Sequence, residues 1–507
     1  MTVRITGLGS GLDIESLVKQ QMQAKRIPID LKKQKLTQLT WTRDAYRELN
    51  TKVSTFLNET RKLTLETNFL TKKAIVSSDD SQKVLVNPTA NAINGNYSLK
   101  VNQIAKNTTL SSSAAIGLGT SGVATQNLTL KVTGELGTQD IAISNGDNVS
   151  QIAAKINAQS STTGVKVSYD KLSDKLTFVS SNTGSATKIQ IEDLDNTDIL
   201  SKLKVAASGA NDTGLIQNGQ DAKVELNGAG EVTVRNNTFT LNDINFTLLK
   251  DPSGVPYTIS SSINYDVDSV VNTIKGVFDK YNELIELTNN KISEVKYRDY
   301  LPLTDSQKSE MNDKDIEAWE EKAKSGLLRN DSILSNGADR MRRMLSDVVS
   351  GIGAGQFNSL ASIGITTKPS DGTNSFGYME NGKMYVDETK LRNALTTSPE
   401  QVSNLFTKSG TRDAQTGKLT SGVDAGIGTR LFETVNDIIS GLTQMTQTVP
   451  TQSAINRQID DYTKRISYEE SSLSDYEQSL YSKYSRLEEA LSKLNTQGSQ
   501  LANFFQN

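Results

Sequence analysis

A seven-residue repeat of large aliphatic residues dominates the C-terminal part of this chain. The repeat has no break: Ile459, Ile466, Leu473, Leu480, Leu487, Leu494 and Leu501. A second series, three residues further on, is mixed and includes Glu469, Lys483 and Gln497. A strict heptad holds one stripe towards a partner helix, so the pattern predicts a long helix with a docking surface. The alternative is an amphipathic helix packed on its own domain.

The N-terminal part predicts a helix that also needs a partner. A glycine-rich segment ends at Ser10 and Asp13, which have capping-box spacing, and Pro28 is expected to bend or restart the helix that follows. Apolar residues then fall near heptad positions. We predict that five of them form an interface for a partner together with the C-terminal repeat: Leu17, Leu31, Leu39, Tyr46 and Val53.

Composition excludes several classes of function. The 507 residues contain no Cys and no His, which removes thiol chemistry, disulfides, the usual zinc ligands and histidine general bases. The net charge of −3 is small for this length, and no Lys/Arg block stands out, so we expect no nucleic-acid partner. We also expect no catalytic activity, no cofactor and no metal.

Two further absences concern membranes and export. The sequence has no apolar run long enough to span a bilayer, so no membrane insertion is predicted. It also has no charged segment followed by an apolar core at its start, so no secretory signal peptide is predicted. A protein with these features that works outside the cell must leave by another route.

The middle of the chain predicts mainly β-structure. Alternating runs such as Leu128–Val132, Val165–Tyr169 and Leu176–Ser180 are typical of strands, and Asp147 or Asn148 is placed to cap a short helix. A helical pattern resumes at Asp266, with these residues on one face: Val270, Val271, Ile274, Val277, Phe278, Tyr281 and Leu284.

One acidic segment is similar to a calcium loop at its start. It runs from Asp193 through Asp195 and Asn196 to Asp198, but Lys204 stands where such a loop requires a glutamate. A solvated turn is the better interpretation. A carboxylate-dyad hydrolase would need two converging acids in a pocket, and no sequence feature favours it.

Several segments together resemble a known family. They are Gly7–Asp13, Asp266–Lys275, Leu360–Ile365, Val386–Leu391 and Tyr484–Leu491, with a small flagellin-type motif from Ala153 to Thr177. In this order they are similar to the bacterial flagellar filament cap family, also called flagellar hook-associated protein 2. The resemblance covers essentially the whole chain. The polar segment 298–329 resembles an insertion in some of its members.

The resemblance implies an α+β multidomain fold with a terminal helical coiled-coil leg, a mixed inner domain and two β-rich head domains. The expected leg is 1–40 with 455–507, and the expected inner domain is 41–73 with 266–454. The expected head domains are 74–125 with 236–265, and 126–235 outermost.

The resemblance also implies a structural cap that oligomerises at the distal tip of the flagellum, prevents flagellin loss and promotes folding and insertion of flagellin. Expected partners are further copies of the chain (a pentamer is favoured), flagellin, the hook-associated junction protein and a cytoplasmic export chaperone at the C-terminal helix. Export through the flagellar type III system is expected, and adhesion at the tip is a further expected role. The alternative function is a secreted adhesin that binds host glycan or protein through its head domains.

Overall fold

The computed structural model describes residues 13–117, 122–206, 210–353, 355–367, 382–420, 422–447 and 453–505, with side chains as far as residue 502. The glycine-rich start of the chain and the side chain of Phe504 lie outside the described residues. The chain divides into two compact units, one formed by 1–69 with 267–507 and the other by 70–266.

Thirteen helices occur in the described residues, and two of them are far longer than the rest. They are α1 (Ile14–Lys62), α2 (Ser78–Ser81), α3 (Val149–Ala158), α4 (Ser160–Thr163), α5 (Ile199–Lys202), α6 (Val267–Ser293), α7 (Asp305–Ser309), α8 (Asp313–Lys324), α9 (Ser332–Ser346), α10 (Glu388–Thr397), α11 (Pro399–Thr407), α12 (Ile427–Thr446) and α13 (Ala454–Phe505). The lengths of α1 and α13, 49 and 52 residues, correspond to roughly 75 Å each.

Sixteen strands occur in the described residues, and most lie in the second unit. They are β1 (Lys72–Val76), β2 (Val84–Pro88), β3 (Gly95–Gln103), β4 (Asn107–Ser111), β5 (Leu128–Gly134), β6 (Thr138–Ile143), β7 (Val165–Asp170), β8 (Lys175–Thr183), β9 (Ile189–Asp193), β10 (Ala222–Leu226), β11 (Glu231–Val234), β12 (Thr238–Leu241), β13 (Ile244–Leu248), β14 (Tyr257–Tyr265), β15 (Ile365–Thr366) and β16 (Tyr385–Val386). All the described pairings between strands are antiparallel.

The core of the first unit lies where the C-terminal half of α1 meets α6, α9 and α12. The apolar face predicted for α6 is confirmed, because all seven of its predicted residues are buried. Phe56 and Tyr281 contact each other in this core, and Phe69 stacks on Phe406 with ring centroids 5.1 Å apart. Each aromatic side chain removes a large apolar area from water, so this core anchors the inner half of α1.

The second unit contains two separate apolar cores. One lies between a five-stranded sheet in the order β1-β14-β3-β10-β11 and a three-stranded sheet in the order β12-β13-β2. The other lies among the sheets β4-β8-β7 and β6-β5-β9, and α3 packs on it. Asn148 caps α3 with a reciprocal capping box to Gln151, as the sequence predicts for this helix start.

The strand pairing bears on the head-domain boundaries, which stay a prediction. β10, within the segment assigned to the outermost head, pairs with β3 of the other head, and β11 of the same segment pairs with β10. β4, assigned to the inner head, pairs with β8 of the outermost one. We therefore propose that the chain passes between the two heads near Lys106 and near Gln220, whose backbones are hydrogen-bonded to each other.

Segment 298–329 folds against the middle of α1. It contains α7 and α8, and the Trp319 indole donates a hydrogen bond to the Leu301 carbonyl oxygen (2.8 Å). The Gln34 amide of α1 donates to the Pro302 carbonyl oxygen (2.8 Å), and the Lys324 ammonium lies 4.9 Å from the centre of the Trp41 ring. Segment 298–329 therefore covers α1 between Gln34 and Trp41.

One close helix contact in the first unit is made by Gly428, near the start of α12. A Cβ atom at this position would lie 2.4 Å from the carbonyl oxygen of Leu63, the residue that follows α1. Such a separation is shorter than any real contact of this kind, so glycine is required here by space. Gly441 lies in the same helix, and a Cβ atom there would meet no atom within 4 Å.

This difference gives a matched pair of stability predictions. Gly428→Ala should lower the free energy of unfolding of the helical unit by about 1–3 kcal/mol, because the backbones of α12 and Leu63 must separate. Gly441→Ala should raise it by about 0.5–1 kcal/mol, because alanine favours the helix. Denaturant titration followed by circular dichroism measures both. Equal effects of the two substitutions would contradict this packing.

Candidate assembly interface of the terminal helices

The outer half of α1 packs antiparallel against α13. Two ion pairs set the register, Lys32 with Glu469 (2.8 Å) and Lys33 with Glu470 (2.6 Å). The hydrogen bond that the Lys33 ammonium donates to Glu470 raises the pKa of Lys33, so this lysine is charged at neutral pH. Ion pairs as exposed as these contribute only about 0–1 kcal/mol each, so they fix alignment more than they supply stability.

Nearer the start of α1, tyrosines replace aliphatic residues along the contact. The Gln21 side chain donates to the Tyr484 hydroxyl (3.0 Å) and accepts from the Tyr476 hydroxyl (3.3 Å). The Lys25 ammonium lies 5.5 Å from the centre of the Tyr476 ring. The buried apolar part of this contact is small: Ile14, Val18, Met22 and Leu480. We call the contacts between α1 and α13, including the two ion pairs, the leg seam. Because these contacts are partly polar, they hold the two helices together less strongly than an all-leucine zipper would.

The structure divides the C-terminal heptad series into a covered and an uncovered part. Ile459 packs on the core of the first unit, Leu473 packs on the leg seam, and Ile466 and Leu480 are buried. The last three members are uncovered, with 45%, 61% and 57% of their side chains exposed: Leu487, Leu494 and Leu501. We call these three the tail stripe.

The exposure of the tail stripe follows from how α1 and α13 are aligned. The described part of α1 begins at Ile14, which Asp13 caps, and the register set by Lys32 with Glu469 and by Lys25 with Tyr476 places Ile14 opposite the part of α13 near Leu487. Because the helices run antiparallel, α13 continues to Phe505, past the described part of α1. Intramolecular packing therefore accounts for the first four members of the series, and the tail stripe stays a predicted interface.

The five predicted interface residues of α1 occupy different environments. Leu17 is half-buried and Leu31 is exposed, whereas Leu39, Tyr46 and Val53 are buried. Tyr46 and Val53 belong to the core of the first unit. Leu39, Tyr46 and Val53 pack within their own chain and present little surface to a partner, and their assignment to an interface stays a prediction.

Tyr46 has a further contact that heptad spacing could not indicate. Its hydroxyl donates to Asp331 Oδ2 (2.5 Å), and Asp331 Oδ1 accepts from the backbone amides of Ile333 and Leu334 at the start of α9. Burial, together with this hydrogen bond, raises the pKa of Tyr46. The contact therefore ties α1 to the N-terminus of α9.

Two large aliphatic side chains near Pro28 are exposed: Ile27, with 60% of its surface accessible, and Leu31, with 55%. The sequence pattern did not predict the exposure of Ile27. Both lie on the side of α1 that faces away from α13, because Ile29 between them is buried. The proximity of Ile27 to Pro28 is the one local signal of irregular packing here. Tyr468 of α13, 78% exposed, was not predicted either.

The acidic segment near Asp193 makes local contacts. Asp193 is buried and accepts hydrogen bonds from the amides of Asp195 and Thr197 and from the Thr197 hydroxyl. These bonds use its carboxylate to close a turn. Within the described residues, no group of three or more Asp, Glu, His or Cys side chains could hold a metal ion. None of the helices described combines the length and apolarity that a bilayer span requires.

Three family models match this chain. The model described as "Flagellar hook-associated protein 2 C-terminus" matches residues 219–496, and the corresponding N-terminus model matches residues 10–108. A third model, the flagellin hook IN motif, matches residues 127–182. The first match alone covers more than half of the chain.

Known proteins agree with these matches. Flagellar hook-associated protein 2 of Halalkalibacterium halodurans is 31% identical over 99% of this chain and 100% of its own length. The Thermotoga maritima protein of that name is 26% identical over 72% of this chain and 54% of its own length. Among solved structures, the D1-D2-D3 domains of the flagellar cap protein FliD from Escherichia coli share the fold, with a TM-score of 0.53, 22% identity, and coverage of 83% of this chain and 99% of that one.

The C-terminal family model matches more than half of the chain, and the H. halodurans protein is similar over its full length. Together they indicate common family membership and not only a shared fold. The family is one of structural flagellar proteins, which confirms the prediction that this chain is not an enzyme. The chain belongs to the flagellar hook-associated protein 2 family.

Proposed function

We propose that this protein assembles into a homo-oligomeric cap at the distal tip of the flagellar filament, where it prevents flagellin loss and promotes insertion and folding of flagellin monomers. The observation that carries this proposal is the tail stripe. Three leucines at heptad spacing are exposed on a helix that extends past the described part of α1. A stripe of this kind is buried when a second helix docks on it.

The leg seam suits a cap that must move as the filament grows. Its contacts are a few aliphatic residues, two ion pairs and a glutamine shared by two tyrosines. Short-lived assembly requires contacts that can be exchanged for equivalent ones on an incoming monomer. An interface of leucines alone along the whole contact between α1 and α13 would be too stable for such exchange.

The remaining partners follow from this proposal. We propose a pentamer as the assembled form, with flagellin and the hook-associated junction protein as neighbours. Before export through the flagellar type III system, a cytoplasmic chaperone would cover the tail stripe. Each of these partners would remove the same apolar surface from water, so they would bind in succession rather than together.

The head domains offer little support for the adhesin alternative. Glycan-binding surfaces are typically built from exposed aromatic rings. In the described part of 70–266, the exposed large apolar side chains are aliphatic, for example Ile93, Leu172 and Val255. Adhesion, at the tip or as the sole function, therefore stays a prediction without a supporting contact.

The first functional prediction concerns the tail stripe. Replacing Leu487 and Leu494 together with Asp should abolish the oligomer and the cap, because two carboxylates would have to be buried without partners. The isolated chain should remain folded, since both side chains are already exposed. Light scattering measures the oligomer. In cells that lack the natural protein, flagellin released into the medium and swimming speed measure the cap.

Leu172→Asp provides the control for these carboxylates. Leu172 is 97% exposed at a hairpin tip in the outermost head, so its substitution tests surface charge without touching the tail stripe. This control should assemble normally. The secreted amount of each variant must be measured as well, because loss of chaperone binding would reduce export. If the Leu487/Leu494 variant is exported normally and full-length filaments still grow, the tail stripe is not part of the capping mechanism.

A second prediction separates the covered from the uncovered part of the series. Leu480→Ala removes a buried side chain and should destabilise the leg seam by about 2–3 kcal/mol. Tryptic cleavage after the exposed Lys19 should then become roughly 30–150-fold faster, since cleavage follows the open population. Leu494→Ala should leave this rate unchanged in the monomer. Equal acceleration by both substitutions would show that the tail stripe is covered within the monomer.

A further inference from the structure

The surface that would receive the tail stripe can be sought on the same unit, because a homo-oligomer of identical chains must carry both halves of each contact. Such a surface should be exposed, helical and repeated at seven residues. The side of α1 that faces away from α13 has these properties.

On this side, two short series run at heptad spacing. One is Leu17, Ala24 and Leu31, and the other is Gln20, Ile27 and Gln34. Ala24, Ile27 and Leu31 are exposed, and Leu17 and Gln34 are half-buried. We call these six residues the outer face of α1. Leu31 and Ile27 each lie two residues, or roughly 200° around the helix, from the buried Ile29.

The outer face of α1 matches the tail stripe in composition and length. Each consists of an aliphatic series beside a mixed one, since Ala490 and Gln497 accompany the leucines of the tail. Leu17 and Leu31 are as far apart in sequence as Leu487 and Leu501, a distance of roughly 21 Å along either helix. Matching repeats allow every aliphatic residue of one helix to pack on the other.

Charges outside the two series are also compatible. Lys19 and Lys35 flank the outer face of α1 and are exposed. Glu488 and Glu489 follow the first leucine of the tail stripe, and Glu489 pairs with Lys493 of the same helix (2.8 Å). The approach of these glutamates to the two lysines would favour orientation of the helices, although such exposed pairs add little affinity.

A chain cannot make this contact with itself. Lys25 lies against Tyr476, so residue 24 of α1 is beside the middle of α13. Leu494 lies 18 residues further along α13, which is roughly 27 Å away. Segment 298–329 covers α1 beyond Gln34 but leaves Ala24, Ile27 and Leu31 exposed.

We infer that the outer face of α1 is the docking surface for the tail stripe of a second copy of this chain. The inference rests on the proposed homo-oligomer and identifies its contact. The two surfaces differ and lie at different heights on the leg, so the contact is head-to-tail. Contacts of this type close into a ring when the rotation between copies allows it.

Disulfide trapping tests the inference directly, because the natural chain has no cysteine. Ala24 and Leu494 are the central members of their series, so they come close whether the helices dock parallel or antiparallel. An equal mixture of Ala24→Cys and Leu494→Cys chains, one of them isotope-labelled, should form a mixed disulfide under mild oxidation. Mass spectrometry of the linked peptides identifies the pair, since a disulfide requires Cα atoms within about 7 Å.

Arg26→Cys mixed with Leu494→Cys is the matched control. Arg26 is also exposed, but it is two residues from Ala24 and so lies on another side of α1. The control should yield at least tenfold less mixed disulfide. If light scattering shows an oligomer and the two mixtures link equally or not at all, the tail stripe docks elsewhere and the proposed function stands. If no oligomer forms at any concentration, both proposals fail.

A double-mutant cycle gives a second, independent readout. Ile27→Asp and Leu494→Asp should each weaken assembly at least tenfold while leaving the monomer folded, because both side chains are exposed. If the residues meet across one contact, the double variant should assemble scarcely more weakly than either single variant. Independent effects that multiply would place Ile27 and Leu494 in different interfaces.

Discussion

The antiparallel pairing of α1 with α13 is the constraint on which the rest of this account depends. It joins the outer half of α1 to α13 and fixes the register between the two helices. Because the described part of α1 begins opposite the part of α13 near Leu487, one continuous heptad series is partly buried and partly exposed in the described residues. The same sequence pattern thus packs within the monomer over its first half and is exposed over its second, where we propose that it serves assembly.

The body of the molecule is built to keep that pairing in place. Tyr46 is bonded to the cap of α9, and Gly428 lets α12 approach the end of α1. These contacts anchor the inner half of α1 in a large apolar core, whereas the leg seam beyond it is thin and partly polar. The packing of α1 is thus extensive over its inner half and sparse over its outer half. This difference fits the proposed function, in which the protein stays folded while the contacts of its terminal helices change.

Much of this architecture could be predicted from the sequence, because the patterns involved are local. The face of α6, the helix start at Asn148 and the hairpin of β7 with β8 all follow from periodicity and capping. The family match and the full-length relative confirm the cap family and the α+β class. The pairing of β10 with β3 could not be predicted, since it joins strands far apart in the chain. Nor could spacing tell that Tyr46 and Val53 are core while Leu487 is surface, because that depends on where the partner helix begins.

Hydrogen exchange across a range of protein concentrations tests the central claim most directly. Amides of α13 around Ile466 and Leu480 should be protected at every concentration, because α1 covers them within the monomer. Amides around Leu494 should exchange quickly in dilute protein and become protected as the oligomer forms, because an unsupported helix end is marginally stable. Protection around Leu494 that is the same in monomer and oligomer would contradict the account.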